Sequence, residues 1–151
     1  MKRIFDIFFS FSGLVITSPL IITTLFFVWL NDKRSPFYIS NRIGKKGKEF
    51  KMIKIRTMIV GADANNVDST SSDDTRITKI GSLCRKIKVD ELPQLLNILI
   101  GEMSFVGPRP NVKREIDIYT KEELGLISIK PGLTDFASIV FSDESEILTG
   151  K

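Results

Sequence analysis

Residues 77–101 read ITKIGSLCRKIKVDELPQLLNILIG. Ile77, Ile80, Leu83 and Ile87 recur at helical spacing, and Leu92, Leu95, Leu96 and Leu99 form a second apolar stripe, so two helices that pack together are expected. Gly101 is placed to cap the second helix at its C-terminus, and Asp90 to cap its start, with Pro93 in the first turn where a proline costs least. Downstream, Gly107-Pro108-Arg109-Pro110 forces an extended stretch, and a third helix is expected from Asn111 to Leu124, ended by Gly125. The run 133–141 is apolar and β-branched enough for a strand or a buried loop. Upstream, residues 61–75 hold almost nothing to bury and read as a mobile loop, while 37–39 and 50–58 have β-like alternation around turns at Ser35-Pro36 and Gly44–Gly47.

Further upstream the character changes. Residues 4–30, IFDIFFSFSGLVITSPLIITTLFFVWL, carry Asp6 as their only formal charge. A straight helix of that length reaches roughly 40 Å, against a hydrocarbon core of about 30 Å. The run is too long for a secretory signal, and no small-x-small cleavage site follows it. Pro19 removes a helical hydrogen bond near the middle, and the Ser18 hydroxyl can satisfy a freed backbone group, so a break is expected there. Basic residues flank both ends, Lys2 and Arg3 before, and Lys33, Arg34, Arg42, Lys45 and Lys46 after. Charge alone leaves two topologies open: a hairpin with both ends inside, or a proline-kinked span.

The segment 31–56 holds nine Lys/Arg against Asp32 and Glu49, net +7, whereas residues 57–151 are net −4. So local a basic collar beside an apolar run reads as a segment held against anionic headgroups. No zinc-finger spacing, RNP-like motif or basic heptad accompanies it, and nucleic acid is not an expected partner. The chain has 151 residues, about one domain's worth, with no histidine and one cysteine. Triads built on histidine, imidazole metal sites and an intramolecular disulfide are thereby excluded.

The remaining chemistry points to Asp90-Glu91 with the cations Lys54, Arg56, Arg85, Lys86, Lys88 and Arg109. A carboxylate at a helix N-terminus is expected to stay ionised and to act as a nucleophile, and Glu91 to join phosphate oxygens around Mg²⁺. Arg109, held between two prolines, suits bidentate phosphate contact. Carboxylate nucleophile, metal-binding carboxylate and clustered cations together suggest phosphoryl transfer.

Residues 73–110, DDTRITKIGSLCRKIKVDELPQLLNILIGEMSFVGPRP, resemble the signature block of the bacterial sugar transferases, the monotopic polyprenyl-phosphate phosphoglycosyl transferases. FKMIKIRTM (50–58), KRIFDI (2–7), Ser18-Pro19 and KPGLTD (130–135) extend the resemblance over most of the chain. It implies transfer of a sugar-1-phosphate from a UDP-sugar to undecaprenyl phosphate on the cytoplasmic face of the bacterial inner membrane. It also implies Asp90 as the nucleophile, Glu91 as the magnesium-associated carboxylate, and Lys54, Arg85 and Arg109 as substrate and phosphate contacts. The fold it implies is α+β and mainly helical, with a re-entrant helix over 1–31, broken at Ser18-Pro19, and an interfacial catalytic domain over 32–151. After Asp135 the chain reads FASIVFSDESEIL, where many relatives carry a glycine and a Gln-Val-Asn/Ser-Gly-Arg run, so the sugar is left unassigned. The family continues beyond the length seen here, and a C-terminal truncation is expected. A non-catalytic relative binding lipid or a partner is the alternative reading, and the oligomeric state is left open.

Overall fold

The computed structural model describes residues 1–62 and 74–135. In chain order the regular elements are helix α1 (Lys2–Asp32), strands β1 (Phe37–Ile43) and β2 (Glu49–Ile55), helices α2 (Lys79–Lys86) and α3 (Gln94–Ile100), strand β3 (Ser104–Val106), a short helix α4 (Lys113–Ile116) and strand β4 (Gly132–Thr134). Helices outweigh strands, as the α+β reading expects. Most of the polar loop expected over 61–75, and the run beyond 135, lie outside the described residues.

β1 and β2 pair as an antiparallel hairpin in which Phe37 opposes Ile55 and Ile43 opposes Glu49. The turn closes where Lys46 and Gly47 adopt positive φ. A second, two-stranded parallel sheet joins Ser104 to Gly132 and Val106 to Thr134, bringing Gly107-Pro108 and Pro131-Gly132 together. That approach needs both glycines: a Cβ on Gly132 would lie 2.2 Å from the Gly107 nitrogen. The core is small. Phe50, Met52, Leu95, Ile98 and Met103 form it, with Leu14, Phe105 and Leu133 packed against it. Asn97, fully buried at its centre, accepts from the Ile53 amide and donates to the Lys51 carbonyl and Glu102, tying α3 to β2.

α1 is the one helix among the described residues long and apolar enough to cross a membrane. The helix continues through Pro19 without the break expected at Ser18-Pro19. The physical reason is local: proline leaves the Val15 carbonyl without an amide partner, and the Ser18 hydroxyl donates to it at 2.8 Å. Both ends of α1 dock on the same body. Near its start, Arg3 donates to the Ile98 and Leu99 carbonyls at 2.6 Å each, capping the C-terminal end of α3. Asp6 is buried and accepts from the Ser104 hydroxyl. At its end, Asp32 takes a bidentate pair from Arg56 at 2.5 and 2.7 Å. Between these anchors Val15, Ile16, Leu20, Ile22, Phe26 and Phe27 are exposed.

Three further expectations are corrected. The third helix is not a run from Asn111 to Leu124: α4 spans one turn, with Val112 as its N-cap, and a 3₁₀ segment follows at Glu123–Ser128, containing Gly125. Asn111 instead donates to the Tyr119 hydroxyl. α2 and α3 do not meet chiefly face to face; α3 packs on α1 and β2, and α2 meets the turn that precedes α3. Leu83 and Ile87 of the first stripe are accordingly exposed. The third correction, at Asp90, belongs to the site. Gly101 does cap α3, with φ 96°.

Candidate active site

α2 begins at Thr78, whose hydroxyl accepts from the Gly81 amide, and ends with Arg85 and Lys86. The chain then turns sharply at Lys88, which takes a left-handed φ of 57°. For a lysine that conformation costs about 1 kcal/mol. Val89, Asp90 and Glu91 follow as a 3₁₀ turn, and α3 starts only at Gln94, capped by the backbone of Pro93 without a side-chain bond. Asp90 is therefore not the N-cap the sequence suggests. The strained turn sets both carboxylates ahead of the helix instead of on its first turn.

Freedom from capping leaves Asp90 available. It is buried, and its Oδ1 has no hydrogen-bond partner among the described residues. An orphaned buried oxygen of this kind costs about 1–3 kcal/mol and calls for an explanation. Burial first, and then the neighbouring Glu91, push the Asp90 carboxyl above its usual range, while Lys54 and Arg85 oppose them. The expectation of a carboxylate stabilised by a helix terminus is replaced by one held in a costly charged state.

Glu91 has the opposite balance. Burial is the largest influence and raises its pKa, but the charge and hydrogen bond of Lys54, with Arg109 and Lys88, outweigh it and leave the carboxyl below its usual range. Lys54 Nζ donates to Glu91 Oε1 at 2.7 Å from the adjacent strand β2. Arg85 donates through Nε to the Thr57 hydroxyl at 2.9 Å, and its half-buried guanidinium faces the charges of Asp90 and Asp74. Arg109 is exposed and close enough to Glu91 to lower it electrostatically. All five site residues read from the sequence thus fall in one electrostatic neighbourhood; Ser18 and Pro19 belong to α1 instead.

Thr57 escaped the sequence reading. It is buried, its hydroxyl orients Arg85, and its carbonyl accepts from the Thr78 amide. Gly81 packs directly on it: a Cβ there would lie 1.9 Å from the Thr57 oxygen. The available signal was Thr57 standing immediately after the Lys-Ile-Arg run of the quoted FKMIKIRTM block.

A family model described as bacterial sugar transferase matches residues 1–149. The chain belongs to the bacterial sugar transferase family. The exopolysaccharide production protein ExoY of Sinorhizobium fredii is 39% identical over 148 residues, covering 88% of this chain and 66% of the relative. A putative undecaprenyl-phosphate N-acetylgalactosaminyl 1-phosphate transferase of Bacillus subtilis is 40% identical over 110 residues, 73% of this chain and 62% of its own length. A UDP-galactose-lipid carrier transferase of Erwinia amylovora is 34% identical, covering 89% of this chain and 31% of that protein. The chain therefore spans about two thirds or less of the length of these members of the sugar transferase family.

Metal fit can be judged from the donors present. No group of three or more His, Cys, Asp or Glu side chains lies together among the described residues. Two adjacent carboxylates, one with an orphaned oxygen, do suit Mg²⁺, which completes its shell with water and substrate phosphates.

Proposed function

We propose that this chain catalyses phosphoglycosyl transfer from a UDP-sugar to undecaprenyl phosphate at the cytoplasmic face of the inner membrane. The observation carrying the reading is the buried, uncapped Asp90 carboxylate beside Glu91-Lys54 and Arg85. A carboxylate oxygen of Asp90 attacks the β-phosphorus of the UDP-sugar; the bond from that phosphorus to the bridging oxygen breaks and UMP leaves. The phosphosugar is then held on Asp90 as an acyl phosphate. A phosphate oxygen of the lipid then attacks the same phosphorus, the acyl-phosphate bond breaks, and Asp90 is regenerated with polyprenyl diphosphosugar as product.

Attack at phosphorus requires no histidine, consistent with the composition. Arg85, fixed by Thr57, and the exposed Arg109 bind and orient the diphosphate. Lys54 keeps Glu91 ionised. Glu91 would hold Mg²⁺, which when bound neutralises charge on the diphosphate oxygens. Desolvation of Asp90 raises its nucleophilicity toward a phosphorus whose charge the surrounding cations screen.

On this reading α1 lies in one leaflet along the interface and holds the site at headgroup depth. Its two ends dock on one body, through Arg3 and Asp6 at one end and Asp32 at the other, and the apolar stretch between them is exposed. An unbroken helix docked on one body at both ends suits lying in the interface plane with its apolar face toward the acyl chains. The test is magnesium-dependent UMP release from a panel of UDP-sugars with undecaprenyl phosphate, in membranes carrying the chain or its Asp90→Asn variant. Release confined to the unaltered chain supports the reading; release sustained by the variant removes Asp90 as nucleophile.

A further inference from the structure

On strand β1, Arg42 is a half-buried cation outside the set of Lys54, Arg85 and Arg109. The hairpin register sets Tyr38 opposite Lys54, Ser40 opposite Met52 and Arg42 opposite Phe50, so with period-two alternation these side chains share one face. That face looks into the body, since Phe50 and Met52 lie in the core and Lys54 reaches Glu91. Arg42 and Tyr38 stand about 13 Å apart along the strand. The Arg42 side chain nevertheless folds back toward the Lys54 end, its Nε donating to the Ser40 hydroxyl at 3.3 Å. Next to it, the Ile43 amide donates to the Asn111 carbonyl at 2.9 Å, which brings the chain that follows Pro108-Arg109-Pro110 against the outer edge of β1.

Two guanidiniums therefore come together with little to offset them. Burial first, and then the charges of Arg109 and Arg114, hold the Arg42 guanidinium below its usual range against the influence of Tyr38 and Glu115. Glu115 acts at longer range, because neither Arg42 nor Arg109 forms an ion pair with a carboxylate among the described residues. Holding like charges together in a partly buried place has a cost that an anion between them would offset. The cations also divide between the two carboxylates. Lys54 acts on both, Arg85 on Asp90, and Arg109 on Glu91. Arg109 and Arg42 thus lie to the Glu91 side of the nucleophile, with Arg85 to the other. In-line attack by Asp90 expels the leaving oxygen on the side away from the attacking carboxylate.

We propose that Arg42, paired with Arg109, binds the phosphate of the departing UMP and makes β1 the nucleotide side of the site. When the bond from the β-phosphorus to the bridging oxygen breaks, its electron pair stays on that oxygen, and the α-phosphate gains a negative charge. Two forked guanidiniums take up that charge with no proton transfer. Arg85, beside Asp90, stays with the phosphosugar half. The inference rests on the transferase reading for the identity of its nucleotide.

The test is calorimetric titration of the full chain, in non-ionic detergent, with UMP, uridine and farnesyl phosphate. Arg42→Gln should weaken UMP binding about 30-fold, the worth of one charge-assisted contact, and leave uridine binding unchanged. Arg42→Lys, which keeps the charge and loses the fork, should fall between. Lys51→Gln, the same charge loss on the opposite face of the hairpin, should bind UMP like the unaltered chain. Without ligand, the thermal midpoint of Arg42→Gln should not fall, because a cation is removed from beside Arg109. Equal weakening of UMP and uridine with a lowered midpoint would mark a structural role and overturn the inference. So would UMP binding left unchanged while farnesyl phosphate binding weakens, which assigns the pair to the acceptor lipid's phosphate. Asp90→Asn should bind UMP like the unaltered chain, so loss of the transferase reading leaves this result standing. Conversely, UMP release from UDP-sugar with the same kcat and KM in Arg42→Gln would sink the inference and leave that reading intact.

Discussion

Replacing Lys54 by glutamine removes the cation hydrogen-bonded to Glu91 among the described residues and leaves the rest of the turn in place. The pair is partly buried, with side-chain exposures of 19% and 27%, so it lies between a surface ion pair, worth 0–1 kcal/mol, and a buried one whose breakage costs about 3–5 kcal/mol. A loss of about 2 kcal/mol at neutral pH is expected, or about 4–8 °C in the thermal midpoint of a domain this size.

The pH dependence tests the cause. In the unaltered chain Glu91 is held below its usual range, so it contributes stability that is present above the unfolded pKa and lost as pH falls through the folded one. Asp90 is raised, so its contribution has the other sign: the folded state becomes relatively more stable as that carboxyl protonates. Without Lys54 its charge and hydrogen bond no longer lower Glu91, leaving Arg109 and Lys88 alone against burial, while Asp90 loses an opposing cation. Both carboxyls then titrate upward. The difference between variant and parent should therefore be greatest near pH 7 and shrink as pH falls toward 5. Thermal denaturation of both proteins in detergent, at several pH values and fixed ionic strength, measures it. A difference that stays constant with pH, or grows on acidification, would refute the assignment of Lys54 as the residue that keeps Glu91 ionised.

Asp90→Asn should lower UMP release by about 10³-fold or more while leaving the thermal midpoint at pH 7.5 equal to or above that of the parent, because a buried charge is exchanged for a neutral amide. Gly81→Ala drives a methyl into the Thr57 backbone oxygen; a loss of about 3 kcal/mol is expected by chemical denaturation, together with weaker UDP-sugar binding as Arg85 is displaced with Thr57. Asn97→Ala orphans the Ile53 amide and the Lys51 carbonyl, and should cost about 3–4 kcal/mol in the same assay.

The site was more legible in the sequence than the path of the chain through it. The expectation that Lys54, Arg85 and Arg109 gather around the acidic pair needs no knowledge of the backbone path, and the three do converge on it. Capping was misread because the pattern Asp-x-x-Pro fits a helix start on its own terms; the left-handed Lys88 that diverts the turn is not among the residue types that advertise positive φ. The third helix failed for want of tertiary support: Ile118, Leu124 and Leu126 stay exposed, and an amphipathic stripe without a surface to cover does not sustain a helix. Long-range pairs were out of reach for another reason. Nothing local to Asn97 says that its partners lie at Lys51 and Ile53, nor that Thr57 holds Arg85.

Asp6 is the informative case between these extremes. A single carboxylate in twenty-seven otherwise uncharged residues is too costly to bury without a partner, so its presence alone demanded one. The partner is Ser104, from the Met-Ser step between the Asp-Glu and Pro-Arg-Pro motifs. That contact and the Arg3 cap hold the start of α1 to the end of α3 and to β3, while Asp32 holds its finish to Arg56, next to Thr57. The turn carrying Asp90 lies between these two attachments. Any shift of α1 along its axis therefore pulls on both attachments, and the geometry of the Asp90 turn is coupled to how the apolar helix is seated.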